Sequence, residues 1–277
     1  MTAFLKMHGL GNDFAVFDAR GGALALDAAR ARAIADRRRG IGCDQVIVIE
    51  KGANGADAFM RIFNADGGEV ESCGNAARCV AHLLMEQAGT GRIVLDTIGG
   101  VIVCEGAGDL VTVDMGAPKL DWRDIPLVSE TDTIRFALDA EGQTFDAGAV
   151  NVGNPHCVLF VEDAEKAPVE TLGARLERHP MFPARTNVEF VEVVSRTRLR
   201  VCVWERGAGR TLACGTGACA AMVAARRRDF VDDRVEVLLD GGPLAIAWKG
   251  GAASVFMTGP WSLSYRGEVD LGALEIT

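Results

Sequence analysis

Two cysteines stand out by their neighbours. Ser72-Cys73-Gly74-Asn75-Ala76-Ala77-Arg78 and Ala213-Cys214-Gly215-Thr216-Gly217-Ala218-Cys219 repeat one pattern, with Cys214 141 residues after Cys73. In both, a Cys-Gly step opens an apolar, alanine-rich stretch that reads as a helix. A thiol at a helix start meets unpaired N–H groups and the positive end of the dipole, which lower its pKa from about 8.5. Two such thiols facing one ligand cannot both ionise readily, because like charges oppose each other. The stable state is one thiolate and one thiol, a base and an acid whose pKa values belong to the pair. That pair suits removal of a proton from one face of a carbon and delivery of another to the opposite face. The N–H groups of Gly74, Asn75, Gly215 and Thr216 suit a carboxylate at the two helix starts. They also suit the negative charge that grows as the carbon loses its proton.

The repeat extends well beyond the cysteines. Gly11-Asn12 matches Gly153-Asn154, Gln45 matches Asn187, and Asn64 matches Glu205. Gly99-Gly100 matches Gly241-Gly242, and Met115-Gly116-Ala117-Pro118 matches Met257-Thr258-Gly259-Pro260, all at offsets of 141 or 142. The order and the constant offset indicate two homologous halves, about 4–118 and 146–260, a duplicated domain rather than a solenoid. Residues 119–145 read as a connector and the first strands of the second half. The tail 261–277 alternates at Leu263, Tyr265, Val269 and Leu271 and reads as a strand able to close either half. The resulting division is 1–118 plus 261–277 for the half with Cys73, and 119–260 for the half with Cys214.

The elements are mixed. Short β-rich runs at 46–49, 93–95, 101–103 and 188–193 are separated by glycine-rich turns. Leu26 to Arg38 and Val169 to Arg178 read as matching surface helices. Thr216 to Ala225 carries no charge and is mostly alanine, so it is expected to be buried on nearly all sides. The fold class is α/β of the α+β kind, with a short buried helix surrounded by strands in each half. A doubly wound parallel sheet does not fit, because strands do not alternate with long helices.

Composition narrows the function. A net charge of −9 argues against a nucleic-acid surface. Arg37-Arg38-Arg39 and Arg226-Arg227-Arg228 fall at helix ends, where they complement the dipole. The N-terminus lacks an export signal, and the uncharged run 211–225 is too short to span a membrane. A cytoplasmic protein with eight free thiols is expected. No Cys-x-x-Cys occurs and no metal site is expected. No dinucleotide fingerprint, P-loop or Schiff-base lysine is evident, so no cofactor is expected. Cys104 and Cys202 read as small core residues.

The assembled motifs closely resemble the diaminopimelate epimerase family. They are Met7-His8-Gly9-Leu10-Gly11-Asn12-Asp13-Phe14, Phe63-Asn64-Ala65-Asp66-Gly67, Cys73 to Cys79, Gly153-Asn154-Pro155-His156-Cys157, Glu205-Arg206-Gly207-Ala208-Gly209 and Ala213 to Cys219. They run in matching order from Met7 to about Pro260. Gly68 stands where the family often has Ser, and Ala76 where it often has Gly. The resemblance implies two pseudo-symmetric domains, each a mixed sheet or barrel wrapped round a central helix, with the active site in the cleft between them. It implies interconversion of LL- and meso-2,6-diaminopimelate without pyridoxal phosphate, in lysine and peptidoglycan precursor synthesis. By the same resemblance, Cys73 and Cys214 are the acid–base pair. His156 and Glu205 lie next to the thiols and tune them or bind the α-ammonium. Asn12, Gln45, Asn64, Asn154, Asn187 and Arg206 bind substrate, Arg206 by a bidentate grip on the far carboxylate. A homodimer is the family expectation. Proline racemase, thiol-redox protein and amino-acid-binding protein are the competing readings, and the polar set at Asn64, Asn187 and Arg206 favours a substrate with two amino-acid ends.

Overall fold

The computed structural model describes residues 1–22, 24, 26–140 and 142–274. The last three residues of the tail, 275–277, lie outside them. The chain divides into two units, Met1–Val113 with the segment from Gly259 onward, and Asp114–Thr258. The first break falls before 118 because the segment after it pairs inside the second unit. The Met115 amide donates to Val255 O (2.9 Å), the Val255 amide donates to Gly116 O (2.9 Å), and Lys119 bridges Asn151. At the other end, Pro260 belongs with the first unit, where its carbonyl accepts from Arg78 Nε at 3.0 Å.

The first unit runs β1 (Thr2–Gly9), β2 (Asn12–Asp18), α1 (Ala28–Ala35), β3 (Gln45–Lys51), β4 (Ala58–Asn64), α2 (Gly74–Ala88), β5 (Arg92–Thr97), β6 (Gly100–Ala107) and β7 (Leu110–Asp114). The second runs β8 (Phe136–Ala140), β9 (Gln143–Asn151), β10 (Pro155–Phe160), α3 (Val169–Leu176), β11 (Asn187–Ser195), β12 (Arg198–Glu205), β13 (Gly209–Thr211), α4 (Gly215–Arg227), β14 (Arg234–Leu239), β15 (Gly242–Ala247) and β16 (Phe256–Gly259). The tail strand β17 (Ser262–Val269) pairs antiparallel with β1 and so completes the first unit.

The two units share one topology. In the first, β1–β2 is antiparallel, β2–β3 parallel, β3–β4 antiparallel, β4–β5 parallel and β5–β6 antiparallel. In the second, β9–β10, β10–β11, β11–β12, β12–β14 and β14–β15 follow the same alternation. Register is kept too: Phe14 lies opposite Gln45 in the first unit, and His156 opposite Asn187 in the second. The fold is therefore mixed α/β, mostly strands, and duplicated.

Each sheet curls round one helix. α2 touches β1 and β2 near one end of the strand order and β5 and β6 near the other, while α4 touches β9, β10, β11, β12, β14 and β15. Every residue of α4 from Gly215 to Ala225 except Thr216 is buried. Small side chains let strands approach it from all sides, which is why this run is alanine-rich. The outer helices cover the other sheet face. Ala15, Phe17, Val46 and Val48 pack with Ile34 of α1, and Cys157, Leu159, Val188 and Phe190 pack with Leu172 and Leu176 of α3. Strand alternation then turns Phe14 and Ile47 toward α2, and His156 and Glu189 toward α4.

Helix α1 is shorter than its sequence suggests. Asp27 caps its start by accepting from the Arg30 amide, and the Asp36 carboxylate takes the amides of Arg38 and Arg39, which turns the chain away. Arg37 thus lies past the helix and, instead of serving the dipole, ion-pairs with Asp13 and Asp44. Arg228 also binds specific partners. Its Nε donates to Ile134 O (2.9 Å) and a terminal nitrogen donates to Ala147 O (2.8 Å). Among the described residues, no helix is long and apolar enough to cross a membrane.

Candidate active site

Both cysteines are helix N-caps. Cys73 has extended backbone (φ −147°, ψ 110°), and its sulfur accepts from the Ala76 amide at 3.5 Å. Cys214 (φ −112°, ψ 111°) accepts from the Gly217 amide at 3.3 Å. A sulfur in the N-cap position takes one of the helix-start N–H groups, and Gly74, Asn75, Gly215 and Thr216 form the rest of those first turns.

In the first unit the structure brings Asn12 and Asn75 to Cys73. The Cys73 thiol lies 3.8 Å from Asn12 Oδ1, and Asn75 Nδ2 donates to the same oxygen at 3.3 Å. Asn12 is held from behind, where its Nδ2 donates to Asp44 Oδ2 at 3.1 Å. Asp44 is fixed in turn by Arg37 and by the Asp13 amide. Asp13 takes Arg37 and the buried Lys6. Burial opposes its ionisation, yet the hydrogen bonds from Arg37 and Lys6 hold its carboxyl well below the usual range. Gln45 and Asn64 meet each other across β3 and β4, with Gln45 Nε2 donating to Asn64 Oδ1 at 2.9 Å. Arg78, fully buried in α2, packs under Gly9, where a Cβ would sit 2.9 Å from its guanidinium. Asp66 closes its own turn, accepting from the Gly68 amide.

In the second unit, Thr216 Oγ1 lies 3.4 Å from Cys214 Sγ. His156 is fully buried: Nδ1 lies 2.7 Å from Glu189 Oε1, and Nε2 donates to Asn154 Oδ1 at 2.7 Å. Asn187 ties two strands to the following loop, since Nδ2 donates to Pro155 O and Oδ1 accepts from the Arg206 amide, both at 2.9 Å. The Arg206 guanidinium donates to Ala184 O at 3.1 Å. Glu205 accepts from the Thr211 hydroxyl.

The resting state of Cys214 differs from the helix-start expectation. Burial pushes its thiol well above the ordinary range, the nearby Glu205 carboxylate pushes the same way, and the Thr216 hydroxyl and Gly217 amide offset only part of this. Desolvation outweighs the helix start, because Cys214 is only 5% exposed. Cys73 keeps more contact with solvent.

Glu189 is the site residue that the motifs did not indicate. It is fully buried, and its Oε1 lies 3.0 Å from where a Cβ on Gly217 would be, against the Cys214 turn. The repeat itself carried the signal. Glu189 stands 142 residues after Ile47, and His156 142 after Phe14, so two core hydrophobes of the first half are a carboxyl and an imidazole in the second. Asp44, which anchors Asn12, was also unmarked. Among the described residues no group of three or more His, Cys, Asp or Glu side chains is arranged to hold a metal ion.

Two curled-sheet units, each with a thiol capping its central helix, place the chain in a known structural class. A hydroxyproline epimerase from Agrobacterium vitis superposes with a TM-score of 0.67 at 18% identity, covering 96% of this chain and 91% of that one. A phenazine biosynthesis protein of the PhzF family from Bacillus anthracis gives 0.67 at 14% identity, covering 97% and 98%. These likenesses show the fold. Sequence narrows it: the family model for diaminopimelate epimerase matches residues 4–120 and again 148–264. The diaminopimelate epimerase of Acidiphilium cryptum (strain JF-5) is 50% identical over 272 residues, 98% of this chain and 97% of that protein. That of Rhodospirillum centenum (strain ATCC 51521 / SW) is 49% identical over 268 residues, 96% and 91%. The chain belongs to the diaminopimelate epimerase family, isomerases of lysine biosynthesis.

Proposed function

We propose that Cys73 and Cys214 are a two-base pair that inverts one α-carbon of 2,6-diaminopimelate, interconverting the LL and meso forms. The supporting observation is that both thiols cap a helix start in matched positions of a duplicated fold. One sulfur, as thiolate, takes the α-proton. The electron pair left on carbon spreads into the α-carboxylate, where the first-turn N–H groups of Gly74, Asn75, Gly215 and Thr216 stabilise it. The other sulfur, as thiol, gives its proton to the opposite face. The sulfurs have then exchanged states, and the reverse reaction restores them. By the family resemblance Cys73 is the proton donor and Cys214 the acceptor in one direction, and the two exchange roles in the other.

The other roles follow the polar geometry. Asn12, Asn154, Gln45 and Asn64 supply amides to the substrate's ammonium and carboxylate groups. Asn187 and Arg206 take the far end, with the guanidinium gripping its carboxylate. Glu205 holds the α-ammonium or tunes Cys214, and His156 orients Asn154. A zwitterion with two charged ends needs many such groups, since each left unpaired on burial costs roughly 1–3 kcal/mol. We assign the protein, on the family resemblance, to the cytoplasm as a homodimer that also feeds peptidoglycan precursors.

Purified protein without added pyridoxal phosphate, assayed for conversion of LL- to meso-diaminopimelate, tests this reading. Turnover is expected, with proline inert. Cys73→Ala and Cys214→Ala are each expected to lose at least about 10²-fold in kcat, the usual worth of a positioned acid or base. Undiminished turnover in either variant would refute the assignment.

A further inference from the structure

We propose that Glu189 is a positioning residue that carries a proton in the folded enzyme and, through His156, sets the direction of the Asn154 amide. The fold itself does not require a polar group there. The matching residues of the first unit, Ile47 and Phe14, are apolar and fully buried in the same strand register. A carboxyl and an imidazole in their place cost desolvation, so their presence needs a chemical reason.

The hydrogen bonds have a direction. Asn154 Oδ1 can only accept, so His156 Nε2 carries a hydrogen and donates to it. Nδ1 faces Glu189 Oε1 at 2.7 Å, with one proton between them. Glu189 Oε2 is buried as well and has no hydrogen-bond partner among the described residues. A carboxylate with one orphaned oxygen at zero exposure is far more costly than a carboxylic acid whose second oxygen is a carbonyl. The charged and titratable groups around Glu189 are His156, Glu205, Cys157 and Cys214. Among the described residues no Lys or Arg pairs with it. Burial pushes the Glu189 carboxyl up, the Glu205 charge adds to this, and His156 only partly offsets them.

The proton thus sits on Glu189. Its Oε1–H donates to His156 Nδ1, Nε2–H donates to Asn154 Oδ1, and the Asn154 amide is left with its NH2 as the outward donor. Both ring nitrogens of His156 are engaged, Nδ1 with Glu189 and Nε2 with Asn154, so the ring holds Asn154 in one orientation. A neutral Glu189 also adds no negative charge beneath the Cys214 turn, where a thiolate must form in one direction of the reaction. The role of Asn154 toward substrate rests on the function proposed above. The protonation state does not, and it is measured without substrate.

The test combines infrared difference spectroscopy and nitrogen-15 NMR of the wild-type protein at neutral pH with the Glu189→Gln variant. A carboxylic-acid carbonyl band present in the wild type and absent in Glu189→Gln is expected, with His156 protonated on Nε2 alone. Glutamine can donate to Nδ1 in the same direction, so the variant is expected to keep this tautomer and a kcat/KM within about threefold. Doubly protonated His156 with no acid band would overturn the proposal. So would a folded Glu189→Gln with the same tautomer but a loss of about 10²-fold, since Glu189 would then be doing something an amide cannot. If the wild-type spectra show the acid but the thiol variants keep full turnover, the catalytic reading fails and this one stands.

Discussion

His156 Nδ1 and Glu189 Oε1 lie 2.7 Å apart, fully buried, at two positions that Phe14 and Ile47 fill in the other unit. One strand register therefore serves packing in one half and hydrogen bonding in the other. Reversing the difference separates the two roles. His156→Phe alone leaves Glu189 without its partner and should cost about 1–3 kcal/mol of stability. It should also lower kcat/KM by about 10²-fold as Asn154 loses its anchor. The double variant His156→Phe/Glu189→Ile restores the apolar pair and should recover most of the stability, since well-packed hydrophobes replace buried polar pairs at little cost. Its activity should stay low. Denaturant titration beside steady-state kinetics reads both, and a double variant with wild-type activity would make the pair structural only.

The two thiol turns also differ at one atom. Ala76 and Gly217 occupy matched places, and each amide donates to the sulfur of its capping cysteine. A Cβ on Gly217 would lie 3.0 Å from Glu189 Oε1 and 3.3 Å from Cys214 Sγ. Gly217→Ala should fold but displace the sulfur or the carboxyl by a few tenths of an ångström. Because proton transfer is steep in distance, kcat should fall about tenfold. The reverse change, Ala76→Gly, should leave kcat nearly unaltered. Equal effects from both would show that Glu189 does not crowd the Cys214 turn.

Stability should fall in alkali. Burial raises Cys43 to about 11 and Cys79 and Cys104 to about 12, and it raises Cys157 and Cys214 as well. Each thiol stays protonated in the folded chain at pH values where the unfolded chain has released its proton. The folded state therefore binds more protons, and stability drops as pH rises. The contribution is complete below the unfolded value near 8.5 and is lost progressively toward the folded values. Melting temperature under reducing conditions should decline steadily above about pH 9. Replacing Cys104, away from the thiol turns, with Ala should flatten part of that slope; an unchanged slope would count against the burial argument.

Much of this was readable from the chain. The matched Cys-Gly turns gave the helix starts at Gly74 and Gly215, the constant offset gave the duplication, and the alanine run gave a buried α4. These are local or periodic signals. Glu189 was not legible by itself, because a glutamate between Val188 and Phe190 reads as the solvent side of a strand. Only the wrapping of that strand round α4 buries it. The burial of Cys214 was not legible for the same reason: a helix start is local, whereas desolvation and the Glu205 charge arise from tertiary packing. Asp44 escaped because its bond to Asn12 spans 32 residues.

The division of labour between Cys73 and Cys214 is tested most directly by the fate of the α-hydrogen. LL-diaminopimelate turned over in deuterium oxide and stopped early should give meso product carrying deuterium at the inverted carbon, while the remaining LL substrate keeps its original hydrogen. Product that retains the substrate's own hydrogen, or substrate and product labelled equally from the outset, would mean that a single base serves both faces.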